Sequence, residues 1–151
     1  RRMADEKARA GAGQINEPAL ILAADTVVTL GRRILPKAES RDVARSCLDL
    51  LSGRRHMVLT ALSIMPSAAW TQGRHAERLV ETAVIFSRLS ADQRDALLDN
   101  GDWQGKAGGY ALQGAAASLI RFVSGSPSGV IGLPLFETAQ LLRGQAGGWL
   151  T

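Results

Sequence analysis

One cysteine, Cys47, is the only thiol in this chain, which excludes an intramolecular disulfide and fits a reducing compartment such as the cytoplasm. Two histidines, His56 and His75, are too few for a histidine metal cluster, and zinc is disfavoured for want of thiols and imidazoles. Neither histidine lies in a recognisable nucleophile context, so nothing supports a Ser–His–Asp or Cys–His set. No apolar run approaches the roughly 18 residues of a membrane span. Arg1-Arg2 is followed by charged, alanine-rich sequence without the apolar segment of a signal peptide. The sequence opens on arginine instead of methionine, which reads as a fragment or a processed form. Repeats, low-complexity linkers and shifts of composition are missing too, so residues 1–151 read as a single domain.

What remains is an ordinary globular composition, 46% hydrophobic and 21% charged, in 151 residues, enough to bury a core without staples. Eighteen Lys and Arg against fourteen Asp and Glu leave a net charge of +4. That excess favours anionic ligands but is too small to indicate nucleic acid, and no nucleic-acid or membrane partner is expected.

Periodicity supplies the elements. Residues 2–10 show helical spacing, and Ala19 to Leu30 form a mostly apolar strand carrying one acid, Asp25, in its middle. Gly31-Arg32-Arg33 turns this strand back into Ile34-Leu35. From Ser40 to Leu51 the apolar residues Val43, Ala44, Cys47, Leu48 and Leu51 share one helical face, which makes Cys47 a packed thiol and not a nucleophile. Strands are expected over 56–65 and 79–86, joined as a hairpin through 66–78, with a further short one over 118–123. Ser90 with Gln93 is a capping-box pattern opening a helix that Asn100-Gly101 ends, and Pro134 opens a last helix, 135–143. Strands and helices so interspersed predict an α/β fold with a mixed sheet and flanking helices.

Four local features could carry chemistry. Asp25 inside an apolar strand must be paired, metal-bound or facing a cleft, because an unpartnered buried carboxylate is expensive. It is a structural acid, a metal ligand or a general base. The stretch 103–114, WQGKAGGYALQG, holds four glycines that allow a backbone to approach a ligand, and Lys106 adds a point charge suited to phosphate. Its spacing is not that of a Walker A loop, and a plain surface loop is the alternative. Arg54 and Arg55 beside His56 read as charges meeting a helix end. The glycine–serine stretch 125–134 runs into a helix N-terminus, a place that favours anions.

Taken in order, ILAADTVV at 21–28, ILPKA at 34–38, LLSGRRHMVLT at 50–60, DWQGKAGGYALQG at 102–114 and GVIGLPLFET at 129–138 resemble the Maf family of nucleoside triphosphate pyrophosphatases. The resemblance implies an elongated α/β molecule with a mixed sheet and a central cleft, similar to the inosine triphosphate pyrophosphatases. It implies hydrolysis between the α- and β-phosphates, with Mg2+ or Mn2+, to a nucleoside monophosphate and pyrophosphate. Asp25 matches the family's catalytic aspartate, as proton acceptor or as metal ligand. Lys7 and Lys37 match family lysines near the phosphates, and Lys106 is expected to join them. Thr26 and Gln113 fall at positions associated with a preference for dTTP and UTP, so the resemblance implies dTTP and UTP or modified pyrimidine nucleotides as substrates. The family's opening SxSPRR loop has no counterpart in this sequence, so part of the family's site is expected to lie outside it. A homodimer is compatible with the resemblance, and a nucleotide-binding regulator of septum formation is the competing reading.

Overall fold

The computed structural model describes residues 2–145. Helix α1 (Arg2–Gly13) precedes strand β1 (Leu20–Leu30), the short strand β2 (Arg33–Leu35) and helix α2 (Arg41–Leu51). Strands β3 (Arg55–Pro66) and β4 (Ala76–Phe86) lead to helix α3 (Ala91–Asn100), then a 3-10 turn and strand β5 (Ile120–Ser124). Helices α4 (Pro127–Ile131) and α5 (Leu135–Arg143) close the described chain.

The five strands form one sheet in the order β2-β1-β3-β4-β5. The α/β architecture with flanking helices is as the sequence predicts, but the sheet is antiparallel throughout rather than mixed. A parallel pair needs a crossover that returns the chain to the end where it started. Here β2 and β3 do run the same way, joined through α2, but β1 lies between them in the sheet, so every hydrogen-bonded pair is antiparallel. β2 pairs only with Val28–Leu30, so among the described strands the rest of β1 is bonded on one side only. That half-open strand carries Asp25 and Thr26.

Successive strand residues face opposite sides of a sheet. Val28, Val58 and Val84 point to one side, where Leu48 and Leu51 of α2, Leu98 of α3 and Phe86 complete the core. α2 lies on this face because Ala44, Cys47, Leu48 and Leu51 recur at helical spacing, and Ser40 caps it by accepting from the Val43 amide at 3.3 Å. Burying Leu48 and Leu51 contributes about 2 kcal/mol each. α1 takes the other face, against β1 and β3. Its fully buried residues, Ala4 and Ala8, have no bulk to hold the helix off the strands. The capping box forms as read: Ser90 Oγ accepts from the Gln93 amide, and Gln93 Oε1 accepts from the Ser90 amide. The stretch 125–134, expected as a loop before a helix, holds α4, capped by Ser126.

Candidate active site

Alternation along β1 sends Asp25 toward α1 and Thr26 toward the opposite face, and one cleft wraps the half-open strand so that both line it. Lys7, on the flank of α1, reaches Asp25 with Nζ 2.9 Å from Oδ1 and 3.4 Å from the Ala24 carbonyl. The Asp25 side chain is only 14% exposed, against 48% for Lys7. This pairing is how the apolar strand tolerates its acid. Asp25 Oδ2 has no partner among the described residues, so one carboxylate oxygen stays available.

Lys37 and Lys106 come from segments far apart in sequence and meet across a stitched seam. Lys37 bridges Ala107, the Ala38 amide donates to the Lys106 carbonyl at 3.0 Å, and the Gly105 amide donates to the Ala38 carbonyl at 2.9 Å. The Gly108 amide adds a bond of 3.1 Å to the Pro36 carbonyl. Both ammonium-bearing side chains are exposed and line the cleft. The glycines of this loop are a packing requirement. At Gly108, with φ of 73°, a Cβ would meet the Val28 side chain at 3.0 Å; at Gly109, with φ of 77°, it would meet the Cys47 Cβ at 3.3 Å. Only bare backbone lies this close to the core.

Tyr110 anchors the loop. Its hydroxyl lies 2.7 Å from His56 Nε2, and its ring packs edge-on against Phe86 at 4.9 Å. Burial pushes the Tyr110 hydroxyl pKa up and the His56 pKa down to about 4, so the imidazole is neutral at physiological pH. His56, read from the sequence beside two helix-end arginines, is thus a core residue bracing a cleft wall. On the other wall, Val130, Ile131 and Gly132 of the α4 region complete the lining.

The structure therefore brings Lys7, Asp25, Thr26, Lys37 and Lys106 to one cleft. Gln113 stands apart: it is exposed, on the turn beyond Tyr110, and does not line the cleft. The chain turns away there because the Tyr110 ring is drawn into the core. Sequence reasoning missed Thr60 and Tyr110. A threonine in a strand signals only β-propensity, and the partners of Tyr110 lie dozens of residues away.

Two sets of donors are suited to a divalent cation. Asp25 offers its free oxygen, and a magnesium-like ion is commonly held by one or two carboxylates together with substrate phosphate oxygens. The second set is Asp5, His75 and Glu77, whose ligand atoms lie within 4.8 Å of one another. His75 Nε2 sits 3.0 Å from Asp5 Oδ1, and hydrogen bonds from the Ser63 hydroxyl and from His75 hold the Asp5 carboxyl below the usual range. A lone His75 gave no hint of this cluster, because Asp5 is seventy positions away.

The profile of the family described as Maf-like protein matches residues 1–145. The chain belongs to the Maf-like family. Among similar Maf-like relatives, the dTTP/UTP pyrophosphatase of Gluconobacter oxydans (strain 621H) is 63% identical, over 99% of this chain and 71% of its own length. That of Granulibacter bethesdensis is 60% identical over 82% of this chain and 56% of its own length. That of Paramagnetospirillum magneticum is 53% identical over 95% of this chain and 73% of its own length. This Maf-like chain thus matches between 56% and 73% of the length of these relatives. No described helix is long and apolar enough to cross a membrane.

Proposed function

We propose that this chain hydrolyses nucleoside triphosphates between the α- and β-phosphates, releasing pyrophosphate and a nucleoside monophosphate, with dTTP and UTP as substrates. The observation that carries this reading is one carboxylate with a free oxygen, Asp25, in a cleft that three lysines from three separate segments also line. The relatives' shared name supports the choice of substrate.

Each residue has a task in the hydrolysis. Lys7 holds Asp25 Oδ1 and so fixes the carboxylate's orientation, leaving Oδ2 for the attacking water. Asp25 orients that water and takes its proton while the water oxygen bonds to the α-phosphorus. The bridging P–O bond breaks, and pyrophosphate leaves with the bridging oxygen. Lys37 and Lys106 stabilise the charge that builds on the departing group, and they do so from a loop already held in place by backbone hydrogen bonds. Where Asp25 acts as a metal ligand instead of a base, its free oxygen would hold Mg2+ or Mn2+ together with phosphate oxygens, and the cation would supply charge neutralisation. A cytoplasmic location fits the single, buried thiol of Cys47.

The test is pyrophosphate release from a panel of nucleoside triphosphates with Mg2+ or Mn2+, for the chain and for Asp25→Asn. Turnover of dTTP and UTP that disappears in Asp25→Asn, with the melting transition intact, supports the reading. Unchanged turnover in Asp25→Asn removes Asp25 from the mechanism, and nucleotide binding without any turnover favours the regulator.

A further inference from the structure

Three oxygens in a row connect the cleft to α4. Thr26 and Thr60 are directly opposite each other on β1 and β3, and their hydroxyl oxygens lie 3.1 Å apart. Thr60 Oγ1 is in turn 2.7 Å from the carbonyl oxygen of Gly129. A hydroxyl has one proton, and a carbonyl can only accept. An oxygen–oxygen separation of 2.7 Å is that of an O–H···O bond, so the Thr60 proton lies toward Gly129. Thr60 is 1% exposed, which leaves no water to complicate the assignment. With its proton committed, Thr60 can only accept from Thr26, and Thr26 spends its own proton on that bond. What Thr26 shows to the cleft is therefore lone pairs alone.

That polarity selects its ligand. Ionised phosphate oxygens are acceptors too, so Thr26 has nothing to offer them, although it lies next to Asp25. It suits a ligand N–H, and beside Lys37 and Lys106 the cleft also presents an apolar wall, the partly buried Val130 and the exposed Ile131 of α4. Flat ring surface can lie against such a wall. Uracil and thymine carry a proton on ring nitrogen 3; cytosine carries a lone pair there.

We propose that Thr60 is a positioning residue that sets the hydrogen-bonding sense of Thr26, making this part of the cleft an acceptor site for the ring N–H of a uracil or thymine base. The inference rests on the dTTP/UTP reading above and gives it a cause. Cytosine nucleotides meet two opposed lone pairs at this point, and a methyl group on ring nitrogen 3 removes the proton that Thr26 needs.

The test is calorimetric binding of UMP, CMP and 3-methyl-UMP, which does not depend on turnover, to the wild type, Thr60→Val, Thr60→Ser and Thr26→Val. A mismatched buried polar contact corresponds to a loss of about tenfold or more in affinity, so wild type should bind UMP that much tighter than either of the others. Thr60→Val frees the Thr26 proton. CMP should then gain about tenfold while UMP holds and 3-methyl-UMP gains nothing, a pattern that general loosening of the site does not produce. Thr60→Ser keeps the relay and should keep the wild-type ranking. A folded Thr60→Val protein with an unchanged UMP-to-CMP ratio overturns the proposal. If Thr60→Val loses its cooperative melting transition, Thr26→Val decides: a collapsed ratio supports the proposal and a preserved one overturns it. UMP binding without UTP hydrolysis counts against the hydrolase alone. Equal wild-type affinity for UMP and CMP sinks the inference alone, and failure to bind any nucleotide sinks both.

Discussion

Acid should destabilise this protein through His56, and the size of the effect follows from its surroundings. The imidazole is 1% exposed, and burial depresses its pKa from 6.5 to about 4. In the unfolded chain the same group takes a proton near pH 6.5. Between those values the unfolded state binds a proton that the folded state refuses, so stability falls as pH drops through 6.5 and levels off below about 4. A displacement of that size corresponds to about 3 kcal/mol across the window, a large share of a small domain's stability. The assay is urea unfolding at half-unit steps from pH 7.5 to pH 4 for wild type and His56→Gln, whose amide can still bond Tyr110 but does not titrate. Other groups, Asp5 among them, are common to both proteins and cancel in the difference. His56→Gln should be the less stable protein at pH 7.5 and should recover ground on wild type by about 3 kcal/mol at pH 4. Parallel stability curves would refute the assignment of a neutral, buried His56.

Other expectations concern the cleft. Lys7→Met should lower kcat for every triphosphate while costing at most about 1 kcal/mol of stability, since the pair it breaks is half open to solvent; parallel rate and melting measurements check both. Gly108→Ala forces a left-handed backbone on alanine and pushes its methyl against Val28, so it should cost about 2 kcal/mol or more in urea and raise KM by displacing Lys106. Tyr110→Phe leaves His56 without its one hydrogen-bonded partner and should cost about 1–3 kcal/mol, read from the urea midpoint.

Much of this architecture was legible locally. The amphipathic face of α2, the Ser90–Gln93 box and the lone acid in β1 are written in spacings of a few residues, which local periodicity reads well. Strand direction is not: whether β4 and β5 run together or opposed depends on where a thirty-residue excursion lands, and no short-range pattern encodes that. The same holds for the site. Asp25 stood out because a carboxylate in an apolar strand demands an explanation, and Lys7, Lys37 and Lys106 followed from resemblance and charge. Thr60 and Tyr110 gave no comparable signal. Their importance lies in partners at Gly129 and His56, and both residue types are unremarkable where they stand in the sequence. The exposed position of Gln113 was hidden for the same reason, because the turn that carries it follows the burial of its neighbour.

The bare backbone at Gly108 and Gly109 has one more consequence. Val28 and Cys47 of the core lie against it from below, and Lys106 of the cleft is carried on the same loop. Cleft and core thus have a common wall a single peptide thick. A repacked interior has no layer of side chains in which to dissipate its strain before it reaches the ligand. Turnover in this protein should work as a gauge of its interior, registering a cavity or an added methyl group beneath the loop at temperatures far below those at which the fold gives way.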